Sequence, residues 1–339
     1  MVGATVCPLL VAMFVPVLLI FGCDYLDEWL NPGEGGGGRD TAGANDTGDT
    51  ADTGAPQTTS GTRGVWAWRD VGDPYGTEAV VGDLAAEEAM VATLIEWDVN
   101  RVYGAYGDRA ATEPAVIAAW NVRLHEAGIE SHVLVGDPAW VSSREWASML
   151  EKIDERLVNF NAGMTDPNEK FDGLHLDIEP QAGDDWDGLT EGDCALRLIQ
   201  LADTYHQVRG SMDGGTSAGL PIAADLPVWF DNLPPTLGGT GSVGWATEAD
   251  RDAWFAGIAG DIDGISLMAY ERDTTTLIVG AVEDEVALFP STVRVGLNEE
   301  VGSTWATIDE MFTMADSVES LGYLVDLHSY AEIRSQLPP

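Results

Sequence analysis

From residue 64 onward the chain alternates between short runs of β-type apolar residues and longer stretches with the spacing of helices. The strand-like runs fall at 64–69, 101–106, 131–136, 173–179, 221–227, 264–270, 293–298 and 323–328. Helix-like segments lie near 83–98, 112–127, 142–161, 191–208, 247–259, 278–288, 304–320 and 330–337. Several of these open on caps and early acids, as in Ser142-Ser143-Arg144-Glu145 and Thr247-Glu248-Ala249-Asp250, which can satisfy the free N–H groups of a first turn. Such alternation calls for parallel strands joined by crossover helices. Eight units predict a single closed (β/α)8 (TIM) barrel over 64–339. A doubly wound open sheet would want a glycine-rich phosphate turn after its first strand, and Trp66-Ala67-Trp68-Arg69-Asp70 is nothing like one.

Within a strand, alternate side chains point to opposite faces. In strand four this sends Leu174, Leu176 and Ile178 toward the helices and His175, Asp177 and Glu179 into the barrel. The same parity turns Arg294, Asn298 and Glu300 of strand seven inward, with Asp225 of strand five. Ser266, Met268 and Tyr270 of strand six and Asp326 and His328 of strand eight follow. Buried polar groups need partners, so Arg294, His175 and Asp326, near strand starts and middles, read as a satisfied polar core. Asp177, Glu179, Tyr270 and Asp225 fall at or near C-terminal strand ends, where barrel enzymes keep their chemistry.

The first 63 residues differ in kind. Residues 8–22 form an apolar run of signal-peptide length interrupted by Pro8 and Pro16, and Gly22-Cys23 follows. A small residue before cysteine resembles the lipobox of bacterial lipoproteins, which implies lipidation at Cys23 and a membrane anchor. Residues 23–63, rich in Gly, Asp and Thr, hold too little apolar surface to fold and are expected to be a disordered tether. The chain carries 16 basic and 57 acidic residues, net −41, a balance that repels phosphate backbones and excludes nucleic acid as a partner. Cys194, alone in the barrel, cannot form an internal disulfide and reads as a buried helical residue.

The run Phe171-Asp172-Gly173-Leu174-His175-Leu176-Asp177-Ile178-Glu179-Pro180 resembles the strand-four signature of family-18 glycoside hydrolases, the chitinases and their relatives. That signature is Asp-Gly-apolar-Asp-apolar-Asp-apolar-Glu, and His175 stands where the family has an acid. Met268-Ala269-Tyr270-Glu271 resembles the same family's Met-x-Tyr-Asp, with Glu271 for Asp. The resemblance implies an exported glycosidase in which Glu179 is the general acid and Asp177 its partner. It also implies that Tyr270 donates a hydrogen bond to the N-acetyl group of a substrate that attacks its own sugar carbon. A protonated His175 would then hold Asp177. Glu179-Pro180 also resembles the Asn-Glu-Pro of retaining glycosidases with a strand-seven nucleophile, for which parity favours Glu300 and a bulge would present Glu299.

Two readings from other classes stand beside these. His175, Asp177, Glu179 and His328 could ligate a divalent ion, although a His-x-His on strand one is replaced by Trp66-Ala67-Trp68. A barrel that binds glycans without cleaving them is the other. Of the 12 tryptophans, Trp97, Trp120, Trp146, Trp254 and Trp305 read as helix packing. Trp140, Trp186, Trp229 and Trp245 fall in strand-end loops, and Trp66, Trp68, Trp186 and Trp229 are the sugar-platform candidates. His175, Asp225, Met268, Glu271 and His328 complete the expected sugar-binding set. No organic cofactor and no resident metal is implied, and the expected state is a monomer.

Overall fold

The computed structural model of the protein describes residues 61–183, 186–241 and 243–338. The leader, nearly all of the tether, Cys23, Asp184 and Asp185 lie outside the described residues. Eight parallel strands close into a barrel in sequential order, with β8 returning to pair with β1. They are β1 (Arg63–Ala67), β2 (Val99–Gly104), β3 (Glu130–Val135), β4 (Gly173–Leu176), β5 (Ile222–Pro227), β6 (Gly264–Met268), β7 (Thr292–Asn298) and β8 (Leu324–His328). The eight predicted strands are therefore the eight observed, each displaced by three residues or fewer at its ends.

The crossover helices are α1 (Leu84–Glu96), α2 (Pro114–Glu126), α3 (Trp146–Ile153), α4 (Glu191–Met212), α5 (Glu248–Ile258), α6 (Thr275–Leu288), α7 (Ile308–Ser320) and α8 (Tyr330–Ser335). Caps set several starts: Thr247 accepts from the Asp250 N–H before α5, and Thr190 and Asp193 form a capping box before α4. Two expectations fail here. Helix α3 begins at Trp146 behind Glu145, which makes no side-chain cap, so the Ser142 capping box does not form. Helix α7 begins at Ile308 behind the Thr307 cap, which leaves Trp305 in the preceding loop, where its indole donates to the Asn298 carbonyl at 2.6 Å.

Outward strand residues, among them Leu174, Leu176, Ile178, Val295 and Leu297, pack with the helices in one apolar core. A smaller cluster of Trp66, Tyr103 and Leu134 fills the barrel itself. Beneath it lies the polar core expected around Arg294 and Asp326. Arg294 Nε donates to Asp326 Oδ1 at 2.6 Å, and its Nη2 donates to the carbonyls of Thr62 and Val325. Ser266 Oγ and Tyr103 Oη donate to the same carboxylate at 2.5 and 3.1 Å. A buried charge is tolerable only when paired and hydrogen-bonded, and Asp326 is both. Gly64 belongs to this arrangement, because a Cβ there would overlap Asp326 Oδ1.

On the barrel flank, Asp231 and Glu285 bring two more carboxyls together out of solvent. Glu285 is 0% exposed, and Asp231 Oδ1 and both Glu285 oxygens have no ordinary donor. Two adjacent ionised carboxylates in such a place would repel, so the pair retains a proton. Burial first, then the neighbouring acid, pushes Glu285 up to about 9, and burial and Asp284 push Asp231 up to about 6.

The folded protein thus binds protons that the unfolded chain has released, and the stabilisation is lost as pH rises through the raised values. Glu285→Gln should show little difference from wild type in urea unfolding at pH 5. It should become progressively more stable than wild type between pH 6 and about 9. A constant difference across that range would contradict the shared proton.

Candidate active site

Strand β4 delivers the two acids of the motif to the C-terminal mouth of the barrel. The ladder runs one residue past β4, with the Asp177 N–H donating to the Val135 carbonyl at 2.9 Å. A Cβ at Gly136 would overlap the Asp177 carbonyl oxygen, so the end of β3 must be bare for β4 to lie this close. Pro180 has no N–H to continue the ladder and starts a 3-10 turn (Pro180–Ala182) directly after Glu179. Glu179 therefore sits where the strand ends and the wall of the mouth begins.

Both side chains are half-buried. Burial, followed by the charge of Asp225, pushes Asp177 well above the ordinary aspartate range. Glu179 is pushed up by burial, then by Asp177 and Asp225, against smaller lowering by His328 and by a 2.8 Å hydrogen bond from Gln181 Nε2. Both effects favour a neutral acid, the form that can give up a proton. Tyr270 stands half-buried beyond β6 and senses Asp225, Glu179, Asp177 and Glu299. Burial and these carboxylates keep its hydroxyl protonated and able to donate.

Asp225 is corrected from a sugar contact to a strut. It is 2% exposed, with Oδ1 2.8 Å from His175 Nε2 and Oδ2 accepting from Trp66 Nε1 at 3.0 Å. The same geometry corrects two further assignments. His175 is 0% exposed and meets Asp225, not Asp177, and burial pushes its pKa down to about 3, so it is a neutral imidazole. Trp66 is 1% exposed and offers no face to a sugar. Together they hold a third carboxyl beneath Asp177 and Glu179.

The mouth has a second group on β7 and β8. Trp68 Nε1 donates to His328 Nε2 at 3.1 Å. His328 Nδ1 lies 3.5 Å from Glu299 and 3.7 Å from Glu332. Its ring packs against Trp66, Trp68 and Tyr270. Glu300, which parity favoured, is turned away: Ser303 Oγ donates to its carboxylate at 2.9 Å inside the β7–α7 loop. The strand ends at Asn298, where Trp305 pins the carbonyl, so the alternation no longer applies beyond it and Glu299 takes the inner position.

Glu271 stands exposed at a left-handed φ of 62°, and Met268 is half-buried inside the strand end. Trp186 and Trp229 are half-buried and meet edge to face, with ring centroids 5.9 Å apart. Trp140 and Trp245, expected on the wet side, are buried. Gln181 and Glu332 were missed by the sequence reading. Gln181 could have been found two residues beyond the acid, but nothing in the pattern distinguishes Glu332 from any other helical glutamate.

Metal ligation fits neither acid group. His175 is spent on Asp225, which removes it from the ligand set expected with Asp177, Glu179 and His328. Among the described residues Glu299, His328 and Glu332 gather ligand atoms within 4.8 Å. A metal-bound imidazole ordinarily donates its other N–H to an acceptor. Here the other nitrogen receives a donor, since indole N–H can only donate. The polarity is that of a neutral imidazole with its proton on Nδ1, facing the carboxylates.

No protein-family profile and no curated protein matches the chain. Solved structures do. A GH18 chitinase from Cycas revoluta in complex with (GlcNAc)4 superposes with a TM-score of 0.50 at 9% identity, covering 81% of this chain and 96% of that one. The PgaB (BpsB) glycoside hydrolase domain from Bordetella bronchiseptica gives 0.49 at 11% identity, over 82% and 96%. The spore cortex-lytic enzyme SleL of Bacillus megaterium QM B1551 gives 0.46 at 8% identity, over 84% and 75%. At these identities the likeness is one of fold.

The raised Glu179 value has a direct consequence. In an infrared pH titration, a carboxylic C=O band absent from Glu179→Gln should persist in wild type above the pH at which ordinary glutamates ionise. An ordinary glutamate, ionised above about pH 4.3, would leave the two spectra alike.

Proposed function

We propose that this chain is an exported glycoside hydrolase whose general acid is Glu179. The observation that carries the reading is a pair of carboxyls two residues apart, Asp177 and Glu179, at the C-terminal mouth of a (β/α)8 barrel, half-buried beside Tyr270 and Asp225 and pushed toward their neutral forms by burial and by neighbouring carboxyls. The match of Asp172, Gly173, Asp177 and Glu179 to the family-18 signature supports it, and so does the fold shared with a GH18 chitinase.

In this reading the substrate is an N-acetylated sugar chain. Its acetamido oxygen attacks the anomeric carbon as Glu179 passes its proton to the departing glycosidic oxygen. Asp177 accepts a hydrogen bond from the acetamido N–H and so orients the group, while Tyr270 donates to the acetamido oxygen. Water, deprotonated by Glu179, then opens the cyclic intermediate. Trp68, Trp186 and Trp229 supply apolar faces for sugar rings.

A second reading has one observation in its favour. Burial would raise Glu299, but His328, 3.5 Å away, holds it below the ordinary range. An ionised carboxylate opposite a neutral acid is what a retaining mechanism requires, with Glu299 as nucleophile.

Hydrolysis of chitin-type oligosaccharides and plain β-glucans by wild type and Glu179→Gln tests both. Loss of the acid should reduce kcat by about 10²–10⁴-fold or more. Cleavage confined to N-acetylated substrates supports substrate assistance. Cleavage of plain glucans, lost in Glu299→Gln, supports the retaining route. A folded wild type that binds glycans and cleaves none would overturn the enzyme reading.

In the same reading the barrel works outside the cytoplasm, carried on the leader and tether and anchored through a lipidated Cys23. Bacterial cells expressing the chain should incorporate labelled fatty acid, and Cys23→Ser should abolish incorporation. Equal labelling of the two would refute the anchor.

A further inference from the structure

The pair formed by Trp68 and His328 can exist in only one protonation state of the imidazole. Indole N–H has no acceptor function, so the 3.1 Å contact requires a lone pair on His328 Nε2. A protonated imidazole carries N–H on both nitrogens, and its Nε2–H would confront the Trp68 N–H. The hydrogen bond and imidazolium are therefore mutually exclusive.

Whether the imidazole is charged is decided on its opposite side. Nδ1 faces Glu299 Oε2 at 3.5 Å and Glu332 Oε2 at 3.7 Å. Glu299 Oε2 is out of solvent and has no other donor, and Glu332 Oε2 accepts from Ser329 Oγ at 3.0 Å. The remaining titratable groups that His328 senses are Asp225 from below and Glu179 across the mouth, with the Tyr270 ring packed on its face. Each of these carboxyls, when ionised, favours imidazolium, which opposes the indole bond.

We propose that His328 is a positioning residue that fixes the Trp68 indole at the rim while neutral and releases it when protonated, with Glu299 and Glu332 setting the pH of release. Burial alone would lower the His328 value, but Glu299 3.5 Å away, then Glu332, raise it above the ordinary histidine. Burial and Glu299 in turn push Glu332 up to about 7. The consequence for sugar binding rests on the role proposed for Trp68, whereas the hydrogen bond and its titration do not.

The test needs no substrate. In 15N-labelled full chain, the Trp68 indole N–H resonance is identified by its absence in Trp68→Phe and followed by NMR from pH 5 to 8.5. It should lie at its hydrogen-bonded position at high pH and move to an unbonded one at low pH, with a midpoint above about 6.5. In Glu299→Gln the midpoint should fall by about half a pH unit or more, since the nearest negative charge is gone. Glu332→Gln should move it in the same direction. His328→Phe should show the unbonded position at every pH. A resonance that stays in place over the range in wild type overturns the proposal, as does a midpoint unmoved in both glutamate variants. If glycans are not hydrolysed but the resonance titrates as stated, the glycosidase reading fails and this one stands.

Discussion

Everything at the mouth of this barrel depends on keeping carboxyl groups close together where water is scarce. Asp177, Glu179 and Asp225 converge from β4 and β5; Asp225 raises Asp177, and both raise Glu179. Such a cluster survives only if its deepest member is tied down. That member is Asp225, and neutral partners hold it: the Trp66 indole and an imidazole that burial keeps uncharged. A cationic partner in place of His175 would draw the acids above toward ionisation. The neutral pair instead leaves Glu179 with the proton that its proposed role requires.

The lower barrel follows the opposite rule. Asp326 is equally buried but meets the Arg294 guanidinium and two hydroxyl donors, so its charge is compensated on the spot. One layer of the barrel is thus a closed ionic network that holds strands together, and the layer above is an array of carboxyls with charge suppressed. Trp66 and Tyr103 pack between them, Trp66 donating to Asp225 above and Tyr103 to Asp326 below. The Asp231–Glu285 pair on the flank repeats the second regime, two buried carboxyls that share a proton.

Around the rim the chemistry is divided by strand. β4 and β6 bring the acid, its partner and the tyrosine. β7, β8 and α8 bring Glu299, His328 and Glu332, whose proton distribution is tied to the indole of Trp68 on the far side of the imidazole. The two groups touch at Tyr270, whose ring lies against His328 and whose hydroxyl senses Glu179 and Asp177. Protonation on one side of the mouth is therefore felt on the other.

The sequence by itself determined the barrel, its eight strands and the orientation of the residues along each. These properties are local: apolar alternation and helix spacing follow from which face of each element must leave water. His175, Asp177 and Glu179 were legible as an inward row for the same reason. Tertiary structure alone decided what each inward group meets. Nothing in the run around His175 says that its partner comes from β5, or that Trp66 would be buried with it. Alternation also holds only while a strand lasts, which is why Glu300 was favoured over Glu299 one residue past the end of β7. Glu332, four residues beyond His328 on a short helix, gained its place only through the pairing of β7 with β8, which sets α8 beside the loop that follows β7.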